Sequence, residues 1–190
     1  MTQKDISANG AYARLKSGNE AFVKSSKNDG DISPELRKDL CDNGQFPYAV
    51  VLTCSDSRVV PEHIFTCGLG EIFVVRVAGN VVNDSQLASV VYSADHLKSK
   101  LVVVLGHTHC GAVSATIQGG AHGCVSGITD KIATAIKDEK DDYKACKLNV
   151  EASINTLINN DEVKSLIENH GVKVVGGIYN IDTGVVDFFE

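Results

Sequence analysis

The stretch LVVVLGHTHC, residues 101–110, decides the fold, because an unbroken apolar run leads directly into polar side chains that can bind metals. Three further runs are also rich in valine: AVVL at 49–52, IFVVRV at 72–77 and VKVVGGI at 172–178. They do not alternate polar with apolar residues, which indicates strands that are buried on both faces. The sequence therefore predicts a mostly parallel sheet that is covered by helices.

Helical patterns lie before and between these runs. Ser33 followed by Pro34 is typical of a helix start, and Asp84 is predicted to cap a later helix. Gly171 is predicted to end the last helix. The turn Asp182-Thr183-Gly184 then leads into VVDFF, which we expect to form an antiparallel edge strand.

These elements together predict the fold class and the domain organisation. The class is α/β, an open, mostly parallel β-sheet of four parallel strands and one antiparallel edge strand, flanked by helices. We expect a single domain over residues 1–190, since a chain of this length fits one core. An N-terminal helical arm is expected at 1–45 and the α/β core at 46–190.

Composition and charge argue against several classes of function. The formal net charge of −6 and the scattered basic residues make nucleic-acid binding an unexpected role. No run approaches the roughly 18–20 apolar residues of a membrane span. The first residues, MTQKDISANGAYARLK, lack the apolar core of a secretory signal. We therefore expect a cytoplasmic protein without a membrane partner.

Cysteine usage fits a reducing compartment better than a disulfide framework, because a core of this size needs no covalent staples. Two of the six cysteines, Cys54 and Cys110, lie at predicted strand ends. The other four are expected to be buried or partly buried thiols, and Cys67 is the candidate for oxidation. These four are Cys41, Cys67, Cys124 and Cys146.

A histidine lies at one of the same predicted strand ends as these two cysteines. The first strand runs into CSDSR at 54–58 and the third into GHTHC at 106–110, and the carboxyl ends of parallel strands meet at one edge of a sheet. Cys54, His107 and Cys110 would give two sulfurs and one nitrogen with an open fourth position, which is the pattern of catalytic zinc. The alternative is two core thiols and a hydrogen-bonded turn histidine, and the spacing alone leaves both readings open.

Asp56 and Arg58 follow the first of these cysteines closely. Taken singly, they could be a turn-capping aspartate and a surface ion pair. Beside a metal, the carboxylate could accept a proton at the open position or bind the metal itself. Arg58 would then keep the carboxylate ionised and aimed away from the metal.

Three segments, CSDSRVVPEHIF from Cys54, FVVRVAGN from Phe73 and GHTHCGA from Gly106, resemble the β-class carbonic anhydrases, and the similarity extends from LKSGNEAF at 15–22 to the last strand. The resemblance implies reversible hydration of CO2 to bicarbonate and a proton by a zinc-bound hydroxide, with one Zn²⁺ per subunit. It implies homodimers at least, which can pair into tetramers, with the active site at the interface. The implied zinc ligands are Cys54, His107 and Cys110, the implied catalytic pair is Asp56 and Arg58, and the implied substrate-binding residues are Gln45, Phe73, Tyr92 and Gly111.

The resemblance also implies a branch of the family. Val51 stands where one branch has a tryptophan, and Gln45 is present, so the chain is similar to the open-site, plant-like branch. Two thiolates offset the charge of zinc, and we therefore expect activity to rise from neutral to alkaline pH. His63 and His109 are candidate proton shuttles by position alone. A closed, non-catalytic zinc site and a zinc hydrolase of a CO2-like heteroallene remain the alternatives.

Overall fold

The computed structural model describes residues 6–25 and 27–190, and its valine-rich runs form one five-stranded sheet in the order β2-β1-β3-β4-β5. The first four strands are parallel, and β5 pairs with β4 in the antiparallel direction. The predicted α/β class is therefore confirmed. The strands are β1 (Ala49–Thr53), β2 (Ile72–Arg76), β3 (Leu101–His107), β4 (Lys173–Tyr179) and β5 (Val186–Phe189).

Helices cover both faces of the sheet and occupy most of the remaining chain. A short π-helical turn, Tyr92–His96, continues α4, and a 3-10 turn, Ala78–Asn80, follows β2. The helices are α1 (Ala8–Ser25), α2 (Pro34–Asn43), α3 (Pro61–Ile64), α4 (Asp84–Val91), α5 (Gly111–Ile117), α6 (Ser126–Ile136), α7 (Asp142–Ile158) and α8 (Asp161–His170).

The two central strands form the middle of the hydrophobic core. Every residue of β1 and of β3 is buried, which explains why their sequences do not alternate. One apolar cluster lies on each face of the sheet, with Val50 and Val102 in the first and Val51 and Val103 in the second. Full burial of each such side chain contributes roughly 1.5–3 kcal/mol, so the position of the strand ends is strongly fixed.

A glycine in β3 lets α7 lie close to the sheet. A Cβ atom added at Gly106 would lie 2.6 Å from Cγ2 of Val150 in α7. A larger residue would therefore push the helix away from the strand. This close packing brings α7 against β3, the strand that ends at His107.

The predicted helix ends agree with the structure in two cases and differ in one. Ser33 caps α2, and its Oγ accepts a hydrogen bond from the Leu36 N–H at 3.2 Å. Gly171 ends α8 in the left-handed region, at φ 67°. The predicted cap at Asp84 is wrong, because Asn83 occupies the cap position and Asp84 is the first helical residue. Both residue types suit either position, so the sequence did not separate them.

Two other sequence predictions concern the ends of the chain and its helices. Residues 1–5, part of the stretch assessed for a secretory signal, lie outside the described residues. Among the helices of the part that is described, none combines the length and the apolar character needed to cross a membrane. The division at residue 45 into an arm and a core stays a prediction.

Candidate metal centre

The ends of β1 and β3 bring three side chains together at one edge of the sheet. Cys54 follows β1 directly, His107 is the last residue of β3, and Cys110 is the residue before α5. The two strands are hydrogen-bonded neighbours, with Thr53 paired to Leu105. The two sulfurs and a ring nitrogen lie within 4.8 Å of one another, and all three residues are buried. We call these three residues the metal group.

The hydrogen bonds of His107 indicate that the group suits a metal ion. Its Nδ1 lies 2.9 Å from the carbonyl oxygen of Thr108, which fixes the orientation of the ring. Its Nε2 is buried and has no hydrogen-bond partner among the described residues. A buried nitrogen without a partner costs free energy, whereas a metal ion would satisfy it. Two cysteines and one histidine are a donor set that zinc prefers, so the residues fit zinc.

Hydrogen bonds also favour an anionic sulfur at Cys54. The bond from the Cys110 thiol is the largest cause that lowers the pKa of Cys54 below its ordinary value, and the neighbouring His107 imidazole lowers it further. The same bond raises the pKa of Cys110, since the two sulfurs share one proton. The backbone N–H groups of Asp56 and Gly79 also donate to Cys54 Sγ, at 3.4 and 3.3 Å. The thiolate is the form that binds metals.

Asp56 lies beside the metal group and is held there by Arg58. The guanidinium donates from Nε to Oδ1 at 2.9 Å and from Nη2 to Oδ2 at 2.7 Å. Nη2 also donates to the carbonyl oxygen of His109 at 3.1 Å, which ties the pair to the other strand end. The hydrogen bond from Arg58 is the largest cause that lowers the pKa of Asp56 to about 2. Asp56 Oδ2 lies 4.0 Å from His107 Nε2, so an ionised carboxylate borders the group.

Two residues that the sequence did not single out support the segments that follow β1 and β3. Arg76, at the end of β2, donates to the carbonyl oxygens of Cys54 at 3.2 Å and Asp56 at 2.7 Å. Asp142, at the start of α7, accepts a hydrogen bond from the His109 N–H at 2.8 Å. Arg76 could have been found from the sequence, because it lies at the carboxyl end of a predicted strand, where functional residues collect. Asp142 could not have been found in this way, because its contact depends on how α7 packs.

The four predicted substrate-binding residues do not lie together. Gly111 is the exposed first residue of α5, next to Cys110. Gln45 lies in the loop before β1 and lines a cavity with Lys98, which precedes β3, so it lies near the amino ends of these strands. Cys54 follows the carboxyl end of β1, whose five residues span about 16 Å. Phe73 lies opposite Val50, about 13 Å before Cys54 along the strand.

The three distant residues form a neighbourhood of their own. The rings of Phe73 and Tyr92 are 6.1 Å apart, and those of Tyr92 and His96 are 5.4 Å apart. His96 and Gln45 line one cavity of about 330 Å³. We call Gln45, Phe73 and Tyr92 the amino-end group, because they lie towards the amino ends of the strands.

The remaining cysteines are all free, and the prediction of burial holds for two of them. Cys67 and Cys146 are buried, and burial raises the pKa of each thiol to about 12. Cys67 is thus a poor candidate for oxidation, contrary to our expectation. The prediction is wrong for Cys41 and Cys124, which are exposed, because both lie in segments that face solvent.

Comparisons with known proteins agree with this geometry. A protein-family model described as carbonic anhydrase matches residues 49–186. The chain is 32% identical to carbonic anhydrase 2 of Mycobacterium tuberculosis over 186 residues, 92% of this chain and 89% of that protein. It is 31% identical to a carbonic anhydrase of Emericella nidulans, over 92% of this chain and 82% of that protein. A structure described among two tetrameric beta-carbonic anhydrases of Sordaria macrospora has a TM-score of 0.76 at 27% identity, over 94% and 95% of the two chains.

Proposed function

The chain belongs to the β-carbonic anhydrase family, and we propose that its reaction, the reversible hydration of CO2 to bicarbonate and a proton, takes place at the metal group. Its cofactor is zinc, and the residues that would hold it are Cys54, His107 and Cys110. Bound zinc supplies a nucleophile near neutral pH, because it acidifies a water at its open position. The observation that carries this assignment is the buried His107 Nε2, which has no partner in the described part of the chain.

The proposed catalytic pair is Asp56 and Arg58. The carboxylate is ionised at any pH near neutral, since its pKa is about 2, and it borders the imidazole of His107. It can therefore accept a hydrogen bond from a water that reacts there. Arg58 holds both carboxylate oxygens and keeps them from turning towards the ligands. Gly111 is proposed to present its backbone N–H to the substrate, since the first N–H groups of a helix have no intrahelical partner.

This arrangement favours the open-site branch over a closed, non-catalytic zinc site. In a closed site Asp56 would give up Arg58 and occupy the fourth position of the metal. The two hydrogen bonds from Arg58 to Asp56 support the open form. X-ray absorption at the zinc edge, compared between the parent protein and Asp56→Asn at neutral pH, tests this. We expect the same coordination in both, and the loss of one oxygen ligand in the variant would contradict the proposal.

We further propose that the enzyme is a homodimer in which the amino-end group of one protomer completes the site of its partner. Gln45 and Phe73 lie too far from Cys54 of their own chain to contact a substrate there. The Tyr92 side chain is exposed on the surface of the protomer, as an aromatic that meets a partner would be. The relatives from Sordaria macrospora are described as tetrameric, and a pair of dimers would give the same assembly here.

The cytoplasmic location also remains our proposal. Its support is the set of six free cysteines, two of which would be metal ligands that a disulfide would block. Free thiols of this kind persist in a reducing compartment.

A further inference from the structure

The turn that follows β2 contacts the metal group through its backbone. Gly79 and Asn80 are both buried and both have positive φ, at 69° and 45°. The N–H of Gly79 donates to Cys54 Sγ at 3.3 Å. A Cβ atom added at Gly79 would lie 2.8 Å from Cδ1 of Ile132, so the turn is also tightly packed. Two successive residues at positive φ are uncommon, even though asparagine tolerates this conformation better than most residues, and hydrogen bonds from a neighbouring element help to hold the turn.

Helix α7 supplies those partners from two successive turns of one face. Asn149 Nδ2 donates to the carbonyl oxygen of Gly79 at 2.7 Å, and Ser153 Oγ donates to that of Asn80 at 2.9 Å. Both side chains are nearly inaccessible, at 2% and 4% exposure. The carbonyl oxygen of Gly79 is thus held by Asn149, while the N–H of the same residue faces Cys54 Sγ.

We infer that Asn149, assisted by Ser153, is a positioning residue that aims the Gly79 N–H at the Cys54 sulfur. The inference rests on the proposed metal group. A hydrogen bond from a backbone N–H stabilises the negative charge of a thiolate and reduces the electron density that it gives to the metal. Asn149 would therefore set both the affinity for the metal and the electronic character of the bond between sulfur and metal.

The same contacts could instead be ordinary core hydrogen bonds, because most buried polar groups are paired. That reading predicts a loss of stability when Asn149 or Ser153 is changed, and no change at the metal. The two readings therefore differ in measurements made on the bound metal and not in the melting temperature.

The chain offers a matched control for this test. Ser99, like Ser153, is a buried serine whose hydroxyl donates to a backbone carbonyl, that of Pro47, at 2.8 Å. Ser99→Ala and Ser153→Ala each remove a hydroxyl that donates to a backbone carbonyl, and Ser99→Ala also removes a hydrogen bond with Ser93 Oγ at 2.9 Å. Only the bond of Ser153 holds the turn. At Asn149, Asn149→Leu keeps a similar size and removes the donor, and Asn149→Ala removes the whole amide.

The experiment measures zinc affinity by competition with a chelator, and the near-ultraviolet thiolate-to-metal band after loading with Co²⁺. We expect zinc to bind about 10-fold more weakly or worse in both Asn149 variants, and a few-fold more weakly in Ser153→Ala. The cobalt band should move to longer wavelength in all three, because the sulfur loses a hydrogen bond. Ser99→Ala should match the parent in both measurements.

The inference is overturned if the Asn149 and Ser153 variants lower the melting temperature but match Ser99→Ala in zinc affinity and band position. The proposed function would survive that result, because the parent would still hold zinc. If the Asn149 variants do not fold, Ser153→Ala against Ser99→Ala decides the question alone. A parent protein that binds no zinc would remove both the inference and the proposed function.

Discussion

The metal group and the amino-end group differ in their position within one chain. The metal group is assembled within the protomer, from the neighbouring ends of β1 and β3, and its ligand atoms lie within 4.8 Å of one another. The amino-end group, with Gln45 and Phe73 in it, lies at least about 13 Å from Cys54 along the strands. The first can bind a metal within one chain, whereas the role we propose for the second requires a partner.

This difference separates two parts of the function. Changes in the metal group should remove metal and activity together, and changes in the amino-end group should reduce activity while zinc stays bound.

The largest effect is expected for the ligands themselves. Cys54→Ser or His107→Ala should abolish stoichiometric zinc binding and reduce CO2 hydration by more than about 100-fold. Loss of a zinc ligand should cost more than loss of a residue that only hydrogen-bonds to a ligand. Zinc content by elemental analysis and stopped-flow hydration measure both effects. The control is Cys67→Ser, which changes an equally buried thiol outside the metal group and should keep full zinc. Full zinc in either ligand variant would show that another set of residues holds the metal.

The next effect is expected at the proposed catalytic pair. Arg58→Gln and Asp56→Asn should keep zinc but lower kcat/KM about 100-fold, as expected for a lost acid–base group. Removal of Arg58 lets the pKa of Asp56 rise from about 2 towards its ordinary 3.8, so the carboxylate stays ionised from pH 6 to 9. The loss in Arg58→Gln should therefore be constant over that range. A defect that disappears at high pH would mean that Arg58 acts through protonation and not through orientation.

A smaller effect is expected at the amino-end group. Gln45→Ala should lower kcat/KM about 5- to 10-fold through one lost hydrogen bond to substrate, with zinc unchanged. Co-expression with Cys54→Ser then tests which chain Gln45 serves. In the mixed dimer, the chain that keeps zinc faces a partner that keeps Gln45, and activity per zinc should recover. No recovery would place Gln45 in the site of its own chain and end the distinction between the two groups.

The smallest effect is expected at Asp142, which supports the metal group from outside. Its carboxylate holds the N–H of His109, whose φ of 55° lies in the left-handed region. Asp142→Ala should lower kcat/KM about 2- to 5-fold, because Arg58 would lose part of its orientation through the His109 carbonyl. The exposed Asp138→Ala is the control for charge. Equal rates in the two variants would show that the loop keeps its conformation without Asp142.

Much of the fold could be predicted from the sequence because its signals are local. The valine-rich runs at 49–52 and 101–105 gave strands that are buried on both faces, and Ser33 with Pro34 marked a helix start. The exact cap of α4 could not be predicted, since Asn83 and Asp84 both suit it. The exposure of Cys124 depends on how a loop packs, which no local pattern encodes.

The residues of the site also fall into those that the sequence could predict and those that it could not. Cys54, Asp56 and Arg58 are close in sequence, and His107 and Cys110 lie at the end of one strand, so the sheet places them at the same edge. The contacts of Asn149 with Gly79 and of Asp142 with His109 join residues 70 and 33 positions apart. Such contacts arise from the packing of α7 against the sheet and leave no trace in local spacing.

Stopped-flow CO2 hydration, measured against zinc content, tests most directly that one zinc on the metal group performs the reaction. The parent protein should hold one zinc per chain and show activity that rises from pH 6 to 9 and scales with bound zinc when the metal is removed and restored. Hydration that persists without zinc, or a fully loaded protein that does not hydrate CO2, would contradict the account.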